Sequence, residues 1–469
     1  MYYRIFEVSA DTVKIILKQF IQFISREALK QIYRFKKRNK IIQNIAPFFK
    51  GVTIVPPFTF VFDYNTKVSK KKGALNVLDK KYKDQILKSI DAVHEKAPDI
   101  PLDYFFDIWK EFWFGEQKTK MPSIAVLGTG IPELYIRAAG AKPLFLLGGN
   151  YFTDQYAEQV FPQISDPVLK SASSILFSGQ LSCMRDITGI VVPVSNADAR
   201  KVVPYLKGLG HPVIVMEEEP FLDSKATSRF QSSQMDFVVE LQKLTHWPVT
   251  AKSIRTAAKQ ITNAHNALQC LKAMNIPQIA KDFIKQTYYL TPDIQEWTGR
   301  VNGLAEENLK PMPENRSHLL LIGSPIFFPN VKIPTVLHNV GIRNYENHCG
   351  VPDPEDYTEL MEHDPSSLNS MFRELNELHY RSAQNDIARA LCSDTSFLQN
   401  ASGVIYHLLK GQLMYAYEAN RIEKAAIRAG IPFVCIETDY TNADTEQIRI
   451  RLEAFSELLM QTGKLPAAV

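Results

Sequence analysis

Gly128-Thr129-Gly130 stands between an apolar run, Ser123 to Leu127, and a stretch of helical pattern. At such a turn the backbone N–H groups of Thr129 and Gly130 can hold a phosphate or carboxylate. The full dinucleotide fingerprint is absent, because Glu133 occupies the place of its third glycine. A plain tight turn fits the same residues. Glu133 opens the next helix, where a carboxylate either works as an acid or base or simply meets the positive helix end. Farther along, Glu346-Asn347-His348-Cys349 puts a thiol beside an imidazole, the pairing of an activated nucleophile. Sequence neighbours need not meet in space, so a structural loop accounts for these residues too. Ser324 closes another apolar run, Leu319 to Gly323. A third, Val404-Ile405-Tyr406, leads to His407, Lys410 and Gln412. An imidazole at a strand end serves as acid or base near neutral pH, or is a histidine satisfied by its neighbours. Lys410 offers a point charge to a phosphate.

Cysteine usage bounds the setting. The five cysteines, at 183, 270, 349, 392 and 435, are odd in number and form no C-x-x-C pair. That is a reducing-compartment pattern, and a cytoplasmic protein is expected. No secretory leader and no apolar run of about 18 residues is visible, so no transmembrane segment is expected. The 469 residues allow two or three domains, and 45% hydrophobic with 22% charged residues is ordinary for a folded chain. Residues 1–50 carry eleven Lys and Arg against Glu7, Asp11 and Glu27, which leaves a mildly acidic remainder. The basic arm reads as the solvated face of a helix over 11–45 packed on the body or a partner; the alternative is a basic face laid on an anionic membrane or nucleic acid.

The elements that must position these groups alternate. After an extended segment at 52–62 that covers a groove, an exposed loop at 67–72 and a helix at 78–94, strands are predicted at 123–128, 143–147, 187–193 and 212–216. Helices at 132–139, 166–177 and 197–206 lie between them. Alternation at this spacing implies a parallel sheet covered on both faces. Residues 232–310 read as helices, one of them opened by Ser253 and Arg255. A second α/β region follows, with a strand at 318–323, a long helix near 366–392 and a strand–helix–strand–helix unit from 402. The predicted organisation is a helical N-terminal region (1–120), a first α/β lobe (121–230), bridging helices (231–315) and a second α/β lobe (316–469). Cys435 falls inside a predicted buried strand.

The C-terminal unit, Ser402 to Gln412, Ala429 to Tyr440 and Glu446 to Phe455, is similar to the C-terminal signature of the 2-hydroxyacyl-CoA dehydratase and benzoyl-CoA reductase family, of the 2-hydroxyglutaryl-CoA dehydratase D-component type. Pro132 to Gly140 resembles the family's early motif, with the glutamate one residue nearer the proline. Gly341 to Gly350 resembles a segment that carries a cysteine in the family, here Cys349. The resemblance spans about 120–463 and is strongest over 402–458. It implies two Rossmann-like, flavodoxin-type lobes around a cleft that holds an acyl-CoA thioester. It also implies a homo- or hetero-oligomer with a related subunit, a separate ATP-dependent electron donor, and removal of water through a ketyl radical, a lyase reaction of anaerobic metabolism.

The same family carries a 4Fe-4S cluster on three cysteines. The runs that stand in their places here are Asp166-Pro167-Val168-Leu169-Lys170-Ser171, Pro193-Val194-Ser195-Asn196-Ala197-Asp198 and Leu409-Lys410-Gly411-Gln412. Asp166, Asn196 and Gln412 replace the thiols. Iron–sulfur clusters need soft, charged thiolates, which a carboxylate and two amides do not provide. The chain is therefore expected to bind no cluster of its own. A relocated 4Fe-4S site would have to use Cys183, Cys349 and Cys392, whose spacing copies no cluster motif. The expected catalytic groups are Glu133, His407 and Cys349. The expected substrate contacts are Thr129, Gly130, Asp166, Asn196, Ser324, Gln412 and Lys410, the last toward a coenzyme A phosphate. Two functions fit: a subunit of a dehydratase, and a cluster-free homologue that binds or supports.

Overall fold

Ser123–Leu127 is short and buried at every position, a pattern that is stable only in a sheet covered on both faces. The computed structural model describes residues 52–55, 59–62, 72–115, 121–150, 157, 166–178, 187–194, 197–217, 225–306, 318–363, 367–390, 396–398 and 400–464. The predicted basic helix over 11–45 and residues 67–71 of the predicted loop lie outside them, as do Cys183, Asn196 and Cys392. The chain divides into two compact units, Met1–Lys72 and Gly73–Val469. In the first, β1 (Val52–Val55) and β2 (Thr59–Phe62) pair antiparallel, Val52 opposite Phe62.

The second unit opens with the helix α1 (Lys72–Lys96), all but its first residue, and α2 (Asp103–Phe114). Next come β3 (Ser123–Leu127), α3 (Glu133–Ala138), β4 (Lys142–Leu146), α4 (Pro167–Ser178), β5 (Ile187–Val194), α5 (Ala197–Lys207) and β6 (Val213–Glu217). The bridging helices are α6 (Ala226–Thr245), α7 (Ala251–Ala273), α8 (Gln278–Tyr288) and α9 (Ile294–Glu306). The second lobe holds β7 (Leu319–Gly323), α10 (Lys332–Asn339), β8 (Glu346–Asn347), α11 (Thr358–His363), α12 (Leu368–Ala390), β9 (Gly403–Leu409), α13 (Leu413–Arg428), β10 (Phe433–Thr438) and α14 (Thr445–Gln461). A capping box starts α7: Thr250 Oγ1 accepts from Ser253 N, and Ser253 Oγ accepts from Thr250 N.

Both sheets are parallel throughout. The first runs β4-β3-β5-β6 and the second β8-β7-β9-β10. Numbered within its own sheet, each has the order 2-1-3-4, the flavodoxin-like start of a doubly wound fold. In each sheet the order therefore reverses beside the first strand, between β3 and β5 and between β7 and β9. Ligands of such sheets bind beyond the carboxyl ends of the strands at that point.

Alternation assigns the faces of the second sheet. Leu319, Leu321, Ile405 and Ile436 pack with Ile333, Leu337 and Leu452 of α10 and α14. Leu320, Ile322, Val404 and Tyr406 pack with Ile422 and Ala426 of α13. Cys435 is in a strand, but β10 is an edge strand, so the residue is half-buried rather than enclosed. The first lobe shares its core with the bridging helices. Trp109 of α2 meets Phe283 of α8 edge-on at 5.8 Å, and both rings contact Phe328 from the loop after β7. The Gln286 side chain brackets Phe328, donating to its carbonyl and accepting from its N–H. The second lobe is thereby anchored to the bridging helices. A close backbone approach joins it to the first: Gly149, at φ +89°, lies where a Cβ would stand 2.2 Å from the Phe327 carbonyl oxygen.

Candidate functional site at the facing sheet ends

Asp166 precedes α4 by one residue and is built into it. Its Oδ1 accepts from Val168 N at 2.8 Å and from Leu169 N at 3.2 Å, the geometry of a helix cap. Gln412 holds the corresponding place before α13 in the other lobe and is 7% exposed. Its Nε2 lies 3.2 Å from both Asp166 oxygens. Residues 246 positions apart are thus in direct contact across the two lobes. The third replaced position, Asn196, is outside the described residues, but its helix is tied in. Asp166 N donates to Asp198 Oδ2 at 3.1 Å, while Lys201 binds the other oxygen. Against burial, which raises it, the hydrogen bonds from Lys201 and Asp166 hold the Asp198 carboxyl low. Sequence reasoning does not single out Asp198; its one signal there is an acid in the first turn of a helix.

His407 and Ser324 are brought together at the β7–β9 switch point, and both are fully buried. The imidazole Nδ1 faces the Ser324 carbonyl at 2.7 Å, so Nδ1 carries the proton and donates. Ser324 N donates to the His407 carbonyl, and Ser324 Oγ accepts from Leu409 N. Nε2 meets no donor among the described residues. Burial pushes the imidazole down to about 4, Lys332 pushes the same way, and the Ser324 carbonyl opposes them. The group is a neutral acceptor at pH 7. Gln412 Oε1 is a second buried acceptor with no donor among the described residues. Lys410 stands exposed at the rim, 3.2 Å from Asp439.

The remaining predicted groups sit elsewhere. Gly128 turns the chain at φ +94°, leaving Thr129 partly exposed and Gly130 exposed at the end of β3. Glu133 is committed: Oε2 pairs with Arg137 at 2.8 Å and Oε1 accepts from Tyr288 at 2.5 Å. Arg137 also lies over the Tyr288 ring, 5.9 Å from its centroid. Burial drives the Tyr288 phenol far above its ordinary range, and the Glu133 charge adds to that. Cys349 is 1% exposed within the second-lobe core. Burial raises its thiol, and the Glu418 and Asp282 carboxylates raise it further. His348 turns to Glu346, 2.7 Å away. Nothing here activates the thiol. Cys270 is exposed on α7.

The donor set decides whether an iron–sulfur cluster fits. Asp166 and Gln412 offer a carboxylate that already caps a helix and a carboxamide that turns its nitrogen inward. Neither is a thiolate, and the set does not fit a 4Fe-4S centre. Among the described residues no three His, Cys, Asp or Glu side chains are grouped to hold a metal ion, and no helix is long and apolar enough to cross a membrane.

The profile of a family described as 2-hydroxyglutaryl-CoA dehydratase, D-component, matches residues 129–459. A protein of Escherichia coli (strain K12) named "Putative dehydratase subunit YjiM" is 23% identical over 364 residues, covering 72% of this chain and 92% of that protein.

Proposed function

We propose, since the chain belongs to the 2-hydroxyglutaryl-CoA dehydratase D-component family, that it is a dehydratase-type subunit that binds an acyl-CoA thioester beyond the facing sheet ends. The contact between Asp166 and Gln412 carries this reading, because it brings the ligand-binding edges of two doubly wound lobes onto one site. Two buried acceptors there, His407 Nε2 and Gln412 Oε1, lack donors among the described residues. The amide N–H groups of a pantetheine arm are donors of the right kind, and Lys410 is an exposed ammonium for its phosphates. Thr129 and Gly130 contribute backbone N–H groups at the end of β3. Asn196 and Ser324 complete the expected contacts.

Loss of water from a 2-hydroxyacyl thioester removes a hydroxyl at C2 and a proton at C3. His407 is the best-placed candidate to accept that proton, being neutral with a buried Nε2 that meets no donor among the described residues. Glu133 is second, since both its oxygens already accept hydrogen bonds, and Cys349 is third because its thiol stays protonated. The chain works as one subunit of an oligomer with a related subunit. A second reading, a cluster-free homologue that binds the thioester without redox chemistry, is favoured by the donor set of Asp166 and Gln412.

Calorimetric titration of the full chain with a panel of 2-hydroxyacyl-CoA thioesters tests the proposal. The expected dissociation constants are roughly micromolar, about −8 kcal/mol, with the free 2-hydroxy acids silent. Absence of heat at about 1 mM thioester, where only about −4 kcal/mol is needed, would overturn it.

A further inference from the structure

We propose that the place where the family holds its cluster is, in this chain, a metal-free clasp between the lobes, and that the chain carries no iron–sulfur cluster. The inference rests on family membership and on the contacts of Asp166, so it stands apart from the acyl-CoA reading.

Four observations carry it. The Asp166 carboxylate is occupied, since Oδ1 takes the N–H groups of Val168 and Leu169 and both oxygens face Gln412 Nε2. A metal would have to strip a helix cap before it could bind. The carboxamide presents its nitrogen to Asp166, and an amide NH₂ is a donor with no lone pair to offer. The third element joins the same network through Asp166 N and Asp198 Oδ2. Three helix starts that a common metal would otherwise gather are therefore gathered by hydrogen bonds. Finally, the contact is complementary: a carboxylate accepts from an amide, which a second carboxylate at 412 could not supply.

The first arm of the test is anaerobic purification of the full chain from iron-replete cells, with total iron, acid-labile sulfide and absorbance near 400 nm measured. Iron well below one atom per chain is expected. About four irons with matching sulfide, the content of a 4Fe-4S centre, would overturn the proposal. The second arm exchanges the partners' roles. Gln412→Glu sets two carboxylates against each other and should speed amide hydrogen exchange in residues 166–171 and 410–416 by about tenfold. Asp166→Asn added to Gln412→Glu restores an amide–carboxylate pair with the roles reversed, and asparagine still caps α4. Exchange should return to within about twofold of wild type. Unchanged exchange in the single variant, or no recovery in the double, would overturn the clasp. Should the single variant not fold, recovery of folding in the double supports the clasp equally, and failure of both to fold overturns it. Titration with a 2-hydroxyacyl-CoA runs in parallel. Lost binding with an intact clasp removes only the functional reading, and iron uptake with intact binding removes only the clasp.

Discussion

At the start of α10 the ammonium of Lys332 is buried and fully engaged. Its Nζ lies 2.6 Å from Thr438 Oγ1, 2.7 Å from the Asp439 carbonyl, 2.6 Å from the Thr441 carbonyl and 2.7 Å from Asp444 Oδ1. Thr438 Oγ1 in turn donates to Asp444 Oδ2. One lysine thus fixes the loop between β10 and α14. A cation at a helix start opposes the helix dipole, and that oddity is the only trace this role leaves in the sequence. Lys332→Met should remove the cation and strand the Asp444 carboxylate, at about 3–5 kcal/mol. The urea midpoint of the folded chain measures this, and a loss below about 1 kcal/mol would mean the pair is solvated. Lys410 makes the contrasting case. It is 53% exposed, and its ammonium is raised by the hydrogen bond to Asp439. Lys410→Ala should change stability by less than about 1 kcal/mol. If it meets a phosphate, affinity for acyl-CoA should fall several-fold while affinity for a pantetheine thioester without phosphate holds.

The junction between elements is tightest at Gly149, just past β4. An added Cβ would stand 2.2 Å from the Phe327 carbonyl oxygen and 2.9 Å from its carbon, at a positive φ that side chains rarely adopt. Backbone atoms on both sides leave no flexible group to yield. Gly149→Ala should cost at least about 2 kcal/mol from backbone strain alone, read as a lowered urea midpoint, and wild-type stability would show that the loops part easily. Elements like these are largely legible in the sequence. Ser123–Leu127 and Gly403–Leu409 announce themselves because buried parallel strands are continuous apolar runs. β8 escapes notice because Glu346–Asn347 is two residues long and half-exposed, with no period to read. Cys435 reads as a strand residue but at the wrong depth, since edge position depends on strand order. The contact of Asp166 with Gln412 is beyond reading from periodicity and spacing. In its own sequence setting each residue reports only its own helix start; the convergence of the two is implied by the family resemblance alone, which puts both in the places of ligands to one cluster.

Across the whole molecule the same construction appears twice, and its buried polar groups set a common response to acid. His407 lies under the second sheet's end and His379 on α12, where it meets Tyr357 and Gln234 of the bridging helix α6. Burial lowers both imidazoles to about 4. An unfolded histidine titrates near 6.5. Between these values the unfolded chain binds protons that the folded chain refuses. Their stabilisation is therefore complete above about pH 6.5 and drains as pH falls toward 4, at about 1.4 kcal/mol per unit for each group. Asp282 acts in the opposite sense. Burial raises it to about 6, against hydrogen bonds from Gln278 and Asn347, so the folded state binds its proton first. The two histidines outweigh the one carboxyl. His338, lowered by burial and by Arg343 and Lys96, adds to their side. Urea unfolding from pH 7.5 to pH 4.5 should therefore show stability level down to about pH 6.5 and then falling, with a slope of about one proton below about pH 6, roughly 1.4 kcal/mol per unit. His379→Gln should flatten that slope, because glutamine can keep the contacts to Tyr357 and Gln234 without titrating. A profile level across this window, or a slope unchanged by the substitution, would mean that protons reach these imidazoles in the folded state and that their surroundings open to water more readily than their burial implies.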